Sequence, residues 1–385
     1  MEISKLADEV VLLARSSDLV DIAASGEACL PVAVGDLRDI EQLVSALTRR
    51  GLSASDFDLI CTADEFLIMP AAVLVDLGRT RGIGLRTATV LRDKAVQKEA
   101  VRHAMIPTAR CRTVDRLSDL MNTDVGFPIV VKPHAGAASH DTCVVRDAAD
   151  LACFARSLGD RAESRPWLAE EYVDGAEYHF DGVVRAGRIE FFSVGRYFAP
   201  LVGAREGRIV GSVLFDPVVD RDIFSAARVM AEDSLAAIGL RDGVFHLESF
   251  ERGGEFVFGE CAGRMAGGII PLQVHQKYGV VLDQEWARVL MGAPPLHRRA
   301  PSPSSYGSIH LPARTEWSSF PGAEEIALMP GVLRVLMQVQ PGGEVPDSRT
   351  GINVRTGQVL LEGGSVEAVE RDANEIFNWF CSKAR

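Results

Sequence analysis

Residues 255–268 read EFVFGECAGRMAGG. An apolar run of strand character closes on Glu260, and Arg264 and the pair Gly267–Gly268 follow at once. A lone carboxylate in such a run is costly to bury unless it is paired or holds a metal. Taken alone, the stretch favours the plainer reading, a strand end whose acid reaches water or pairs with Arg264.

The stretch before it shifts that balance. Residues 243–251, GVFHLESFE, form a second strand pattern, and ERGGE (251–255) reads as the turn of a hairpin. Alternation puts Phe245, Leu247 and Ser249 on one face and Val244, His246 and Glu248 on the other. In that hairpin Glu248 and Glu260 stand at matching heights. Two carboxylates brought together repel unless a cation lies between them. One or two carboxylates, completed by phosphate oxygens, are how proteins hold Mg²⁺. Two solvated strand-end acids remain the alternative at this point.

A third stretch supplies positive charge. FPIVVKP (127–133) places Lys132 at the end of an otherwise apolar strand, where a lysine usually snorkels to water. The strand leads directly into PHAGAASHDT (133–142), a turn of small residues through Gly136, Ser139 and Thr142. Such a turn exposes backbone N–H groups and leaves room for a phosphate. Lysine, small-residue loop and two downstream acids each provide a different part of a magnesium–nucleotide site.

The whole chain fits an enzyme of several domains. Its 385 residues exceed what one core ordinarily holds. A formal net charge of −12 excludes a general nucleic-acid binder, though not a local basic pocket for one nucleotide. The opening MEISKLADEVVLLARSSD lacks the pattern of a signal peptide, and no apolar run approaches a bilayer span. The seven cysteines are scattered, with no Cys-x-x-Cys, which suits a reducing cytoplasm and not a zinc ribbon or disulfide scaffold.

Along the chain, EVVLLA (9–14) and DLICT (58–62) read as strands, with DIEQLVSALTRRG and PAAVLVDLGRTRGI as helices. Strand–helix alternation indicates a parallel α/β unit. It has no Gly-x-Gly-x-x-Gly turn, so it is not read as a dinucleotide site. RDKAVQKEAVRHAMIP is a helix ended by Pro107; after it come short strands with hairpin punctuation, a helix at 221–238, and the pair of strands quoted above. HRRAPSPSS (297–305) reads as a linker to a small α+β tail.

Taken in order, RDK, FPIVVKP, GAASHDT, LAEEYVDGAEY, GVFHLES and GECAGRMAGG give the chain a pattern that resembles the ATP-grasp carboxylate–amine ligases. The resemblance covers residues 90–295. It implies a mixed α/β and α+β architecture: an N-terminal parallel α/β domain over 1–90, an ATP-grasp domain over 91–296 with a mobile lid at 125–185, and a C-terminal α+β lobe over 297–385. By the same resemblance ATP and Mg²⁺ are the cofactors. Lys94 and Lys132 hold the α- and β-phosphates, and the 136–142 loop closes over them through Gly136 and Ser139. AEEYV is the hinge, with Glu170, Glu171 and Val173 at the adenine edge, and Glu177 binds the ribose hydroxyls. Glu248 and Glu260 hold the metal. Arg264 faces the reacting carboxylate, with Gly267, Gly268, His246 and Arg196 around the substrate.

One position departs from the family. Where it usually carries Glu-x-Asn-x-Arg, with the Asn as a further metal ligand, this chain has Ala262. ECAGR followed by two glycines looks more like the branch that joins amino acids into dipeptides than like purine-pathway members. The implied reaction phosphorylates a carboxylate with ATP, and an amine then attacks the acyl phosphate to give an amide, ADP and phosphate. The partners are therefore small molecules, with neither nucleic acid nor membrane, in the cytoplasm, and the resemblance allows a homodimer. Two alternatives stand beside this: another enzyme of the fold, such as a purine-pathway ligase or a carboxylase, and a nucleotide-binding regulatory module without turnover. Residues 190–215 are expected over the acyl site, with Arg196, Tyr197, Arg205, His246 and His275 as lining candidates.

Overall fold

The structure is a computed structural model that describes residues 2–24, 26, 28–122, 124–136, 139–296, 298–340, 343 and 345–385. At the N-terminus β1 (Val11–Arg15) pairs in parallel with β2 (Leu30–Val34). The helix Ile40–Thr48 covers them, capped by the Asp39 carboxylate, which accepts the N–H groups of Glu41 and Gln42. The run at 58–62 is not a strand: Leu59 makes only an isolated bridge to Arg81. The partner of β1 is LPVAV instead, whose Pro31 masks its strand character in the sequence.

The chain then builds a small antiparallel sheet from β3 (Cys111–Val114), β4 (Ile129–Pro133), β5 (Cys143–Val145) and β6 (Trp167–Glu171), in the order β3-β6-β4-β5. Its inner face buries Ile129, Val131, Val145 and Trp167 against Leu151, Phe154 and Leu158 of the helix Ala148–Leu158. Fully burying a large apolar side chain contributes about 1.5–3 kcal/mol, so this sheet has a core of its own.

The larger sheet has eight strands: β7 (Ala176–Arg185), β8 (Arg188–Tyr197), β9 (Gly211–Leu214), β10 (Gly243–Arg252), β11 (Glu255–Ala262), β12 (Ser305–Leu311), β13 (Val332–Met337) and β14 (Gly357–Gly363). Their order is β11-β10-β7-β8-β9-β12-β14-β13, so the C-terminal strands continue the central sheet through the β9–β12 pairing. The helix Arg221–Ile238 has the bounds expected from periodicity and packs Ala227, Met230, Leu235 and Ile238 with Phe180, Phe245 and Phe258. The last helix, Val366–Lys383, buries Val369, Ala373, Ile376 and Phe380, one face at helical spacing, against β12 and β14. The linker expected at 297–305 runs into β12 at Ser305, and residue 297 lies outside the described residues. All seven cysteines are free.

Candidate active site

Glu248 and Glu260 are direct register partners across the β10–β11 hairpin, as their strand positions predict. The pairing slips by one residue immediately after Glu248, which frees the strand end from regular alternation. Both line a cavity of about 800 Å³ walled by the small sheet, the hairpin, the N-terminal unit and the C-terminal strands.

Glu260 does not pair with Arg264. Its carboxylate meets Lys94 Nζ at 2.8 Å and Lys132 Nζ at 3.7 Å. Burial pushes the Glu260 carboxyl up, but the two ammonium groups outweigh it and hold it well below the usual carboxylate range. Lys132 also pairs with Glu170 at 3.1 Å, and Glu170 reaches Lys98 at 3.6 Å. Burial alone would lower Lys132; Glu170 and Glu260 reverse that and keep it charged. Lys98 was not singled out from sequence. It is 2% exposed, and burial draws its pKa down despite Glu170. The signal was present in DKAVQKEA, where Lys94 and Lys98 stand one helical turn apart on one face. The same helix, Lys94–His103, is latched to β11 by Gln97, whose amide donates to Cys261 O and accepts from Cys261 N–H, both at 2.8 Å.

Around Glu248 lies a buried polar network. Tyr197 donates to Glu248 Oε1 at 3.2 Å, and His246 Nε2 lies 3.3 Å from the same oxygen. His246 Nδ1 is 2.8 Å from Asp181, whose other oxygen is 2.6 Å from His179 Nδ1. Burial alone would lower His246; Asp181 and Glu248 raise it to about 10 instead. Glu177 also lines the cavity and accepts the Leu201 N–H at 2.7 Å. Burial and the nearby Glu248 charge push its carboxyl up to about 8.

Other expected residues divide. Glu170, Glu171, Val173, Gly136, Ser139, Arg264, Gly267 and Gly268 all line the cavity. The Glu170 side chain is spent on lysines, and the N–H groups of Glu171 and Tyr172 already donate to Arg110 and Pro128. Residues 137 and 138 of the expected phosphate loop lie outside the described residues. Arg264 binds Glu65, with Nε 2.8 Å from Oε2, and Glu65 in turn takes Arg92 at 3.0 Å. Glu65 sits just before a helix on the N-terminal unit, and nothing in its local sequence marks it.

Arg196, expected around the substrate, does not line the cavity. Along β8 the pleat turns Tyr197 into the cavity and Arg196 out of it, where it pairs with Glu370 and lies over the Phe215 ring. His275 is likewise exposed on the helix Ile270–Tyr278, away from the cavity. Arg205 does not line it either; its guanidinium donates to Thr142 O at 3.3 Å and ties that segment to the 139–142 turn.

The donor set fits magnesium. Opposed carboxylates on a hairpin, with lysines beside them to meet phosphate, are hard oxygen ligands for a cation that keeps phosphate and water in its shell. Ala262 lines the same cavity and offers no ligand.

No family model matches the chain. Individual proteins do. It is 26% identical over 328 residues to an L-arginine-specific L-amino acid ligase of Bacillus subtilis, covering 82% of this chain and 78% of that protein. It is 24% identical over 271 residues to the alanine–anticapsin ligase of Bacillus subtilis strain 168, covering 64% of this chain and 55% of that protein. Its fold matches the crystal structure of an L-amino acid ligase from Bacillus licheniformis with a TM-score of 0.74 at 18% identity, over 100% of this chain and 93% of that one. With its sheet order and its lysine–carboxylate cavity, the chain has the ATP-grasp fold.

Proposed function

We propose that the chain is an ATP-dependent ligase that joins a small carboxylic acid to an amine through an acyl phosphate, releasing ADP and phosphate, with amino acids as substrates. The observation that carries this reading is the convergence of Lys94, Lys132, Glu248, Glu260 and Arg264 on one cavity. The similarity to two amino-acid-joining ligases supports it.

In the chemistry so assigned, Lys94 and Lys132 exchange their carboxylate partners for the phosphate tail of ATP. Glu248 and Glu260 would hold Mg²⁺, which would supply neutralising charge to the phosphate oxygens. Tyr197 and His246 orient Glu248 for that task. Arg264, itself aimed by Glu65, presents a planar pair of donors to the reacting carboxylate. A carboxylate oxygen attacks the γ-phosphorus, and the bond from that phosphorus to the β–γ bridging oxygen breaks to release ADP. The amine nitrogen then attacks the acyl carbon, the carbon–oxygen bond to phosphate breaks, and the nitrogen gives up a proton as the amide forms. The small sheet β3-β6-β4-β5 acts as the lid that keeps water from the acyl phosphate. The test is ADP release with pairwise amino acids, ATP and Mg²⁺, with the product read by mass spectrometry. ADP release together with a product weighing the two acids less one water is expected; no pair exceeding the ATP-only background would end the ligase reading.

A further inference from the structure

A path of hydrogen bonds outside the metal and phosphate contacts joins the small sheet to Arg264. Arg92 is the last residue of the helix Leu85–Arg92, and Lys94 opens the next helix just beyond Asp93. The Arg92 guanidinium divides its donors between two segments: Nη1 donates to Glu65 Oε1 at 3.0 Å and Nη2 to Ala135 O at 2.6 Å. Ala135 lies just past β4, at the start of the turn expected over the phosphates, and the Lys94 N–H donates to the neighbouring His134 O at 2.9 Å. The other oxygen of Glu65 accepts Arg264 Nε at 2.8 Å. The path therefore runs from the turn through Arg92 and Glu65 to Arg264.

A basic residue at a helix C-terminus is favoured by the helix dipole alone. The surroundings of Arg92 exceed that role. Its side chain and that of Glu65 are each 12% exposed, and its guanidinium lies 5.0 Å from the centre of the Phe66 ring. Glu65 and Arg264 line the cavity whereas Arg92 does not, so Arg92 acts there only through its neighbours. A guanidinium facing one carboxylate prefers to bind both of its oxygens as a two-bond fork. With Nη2 on Ala135 O, Arg92 takes only Oε1 of Glu65, and Oε2 is left for Arg264. Without that carbonyl the same guanidinium is free to take both oxygens, in competition with Arg264.

We propose that Arg92 is a positioning residue through which closure of the small sheet sets Arg264: Ala135 O, seated on Arg92 Nη2, turns the Arg92 fork away from Glu65 Oε2, and Glu65 then aims Arg264. The proposal rests on the ligase reading and deepens it. Arg264 takes its working geometry only when the turn is closed, so the acyl phosphate forms only in a site shut to water. The path moves no proton. It exchanges one hydrogen-bond acceptor for another, and two arrangements of a single carboxylate suffice.

The experiment uses the intact chain. Arg92→Lys keeps the positive charge at the helix end but cannot divide a planar fork between Glu65 and Ala135. Its saturated rate of ADP release is expected to fall on the order of tenfold to a hundredfold with the ATP KM unchanged. Arg92→Lys combined with Arg264→Lys should lose no more than Arg264→Lys alone, because the first residue acts only through the second. Hydrogen exchange with Mg²⁺ and a non-hydrolysable ATP analogue reads the coupling without turnover. The analogue should protect residues 263–267 in the wild type and not in Arg92→Lys, while β4 gains protection in both. Glu65→Gln breaks the path at its middle and leaves the helix end intact; it should lose the same protection, and it carries the test should Arg92→Lys lose its cooperative thermal transition. A wild-type rate in Arg92→Lys, losses that multiply in the double variant, or protection of 263–267 that survives in both single variants overturns the coupling. The two readings fail separately. Protection of 263–267 lost in the variants, without ADP release from any pair in the wild type, removes the ligase and keeps the coupling; ADP release by the wild type that Arg92→Lys equals removes the coupling and keeps the ligase.

Discussion

Glu260 stands opposite Glu248 and between Lys94 and Lys132, so one substitution there alters several electrostatic contacts together. Glu260→Gln is expected to lower ADP release on the order of a hundredfold at ordinary Mg²⁺ while the thermal transition stays cooperative. Wild-type magnesium dependence of turnover in that variant would remove Glu260 from the metal site. Arg264→Lys keeps the charge opposite Glu65 but not the planar pair of donors. Its saturated rate is expected to fall on the order of a hundredfold with ATP affinity unchanged, checked by steady-state kinetics beside an ATP-binding titration. Should affinity fall and the rate hold, Arg264 serves the nucleotide instead. Glu177 gives a pH signature of the unliganded fold. Its folded pKa of about 8 lies above the ordinary 4.5, so the folded state holds a proton that the unfolded state releases. The stability this provides is full below 4.5 and is lost as pH rises through 8. Glu177→Gln should therefore flatten the fall in thermal stability between pH 5 and 9, and an unchanged slope would remove Glu177 as its source.

The β10–β11 hairpin is held in place by another element, the helix Lys94–His103. Gln97 alone satisfies both backbone groups of Cys261, and its amide also donates to Val90 O at 3.1 Å. Gln97→Ala strands these buried groups, at a cost of about 1–3 kcal/mol in urea unfolding. Because Cys261 follows Glu260 directly, magnesium and ATP should also bind more weakly. A variant as stable as the wild type would show that the latch does not hold the strand. The helix at 221–238 was legible to the residue because its apolar spacing and closing Gly239 are local facts. β2 was not, because LPVAV is short and interrupted by proline, and only its partner β1 makes it a strand.

Across the whole molecule, the small sheet has its own core and meets the large sheet over the cavity, with Arg205 bonded to Thr142 between them. The expected 125–185 lid ends in β7, which is held between β10 and β8 in the large sheet, so we propose that the small sheet β3-β6-β4-β5 alone closes as a unit when ATP binds. Hydrogen exchange is expected to slow in β4 and in the 139–142 turn on addition of ATP and Mg²⁺, with little change in the last helix. Equal protection everywhere would argue for general stabilisation and against a lid. No helix among the described residues is long and apolar enough to cross a membrane.

The sequence by itself determined the hairpin, the opposition of Glu248 and Glu260, the place of Lys132 at the end of its strand and the order of these parts. Each depends on a period of two, a turn signal or a short spacing, and these are carried by neighbouring residues. Only the tertiary structure decided the partners. Glu260 meets lysines from a helix and from another sheet in place of nearby Arg264, and Arg264 meets Glu65 from the N-terminal unit. Arg196 and Tyr197 look alike as candidates, yet the pleat of β8 sends one to Glu370 and the other into the cavity. Lys98, Glu65 and Arg92 gain their meaning from burial and from the charges around them. Those are set by segments far apart in the chain, because the energy of a charge depends on what surrounds it in space.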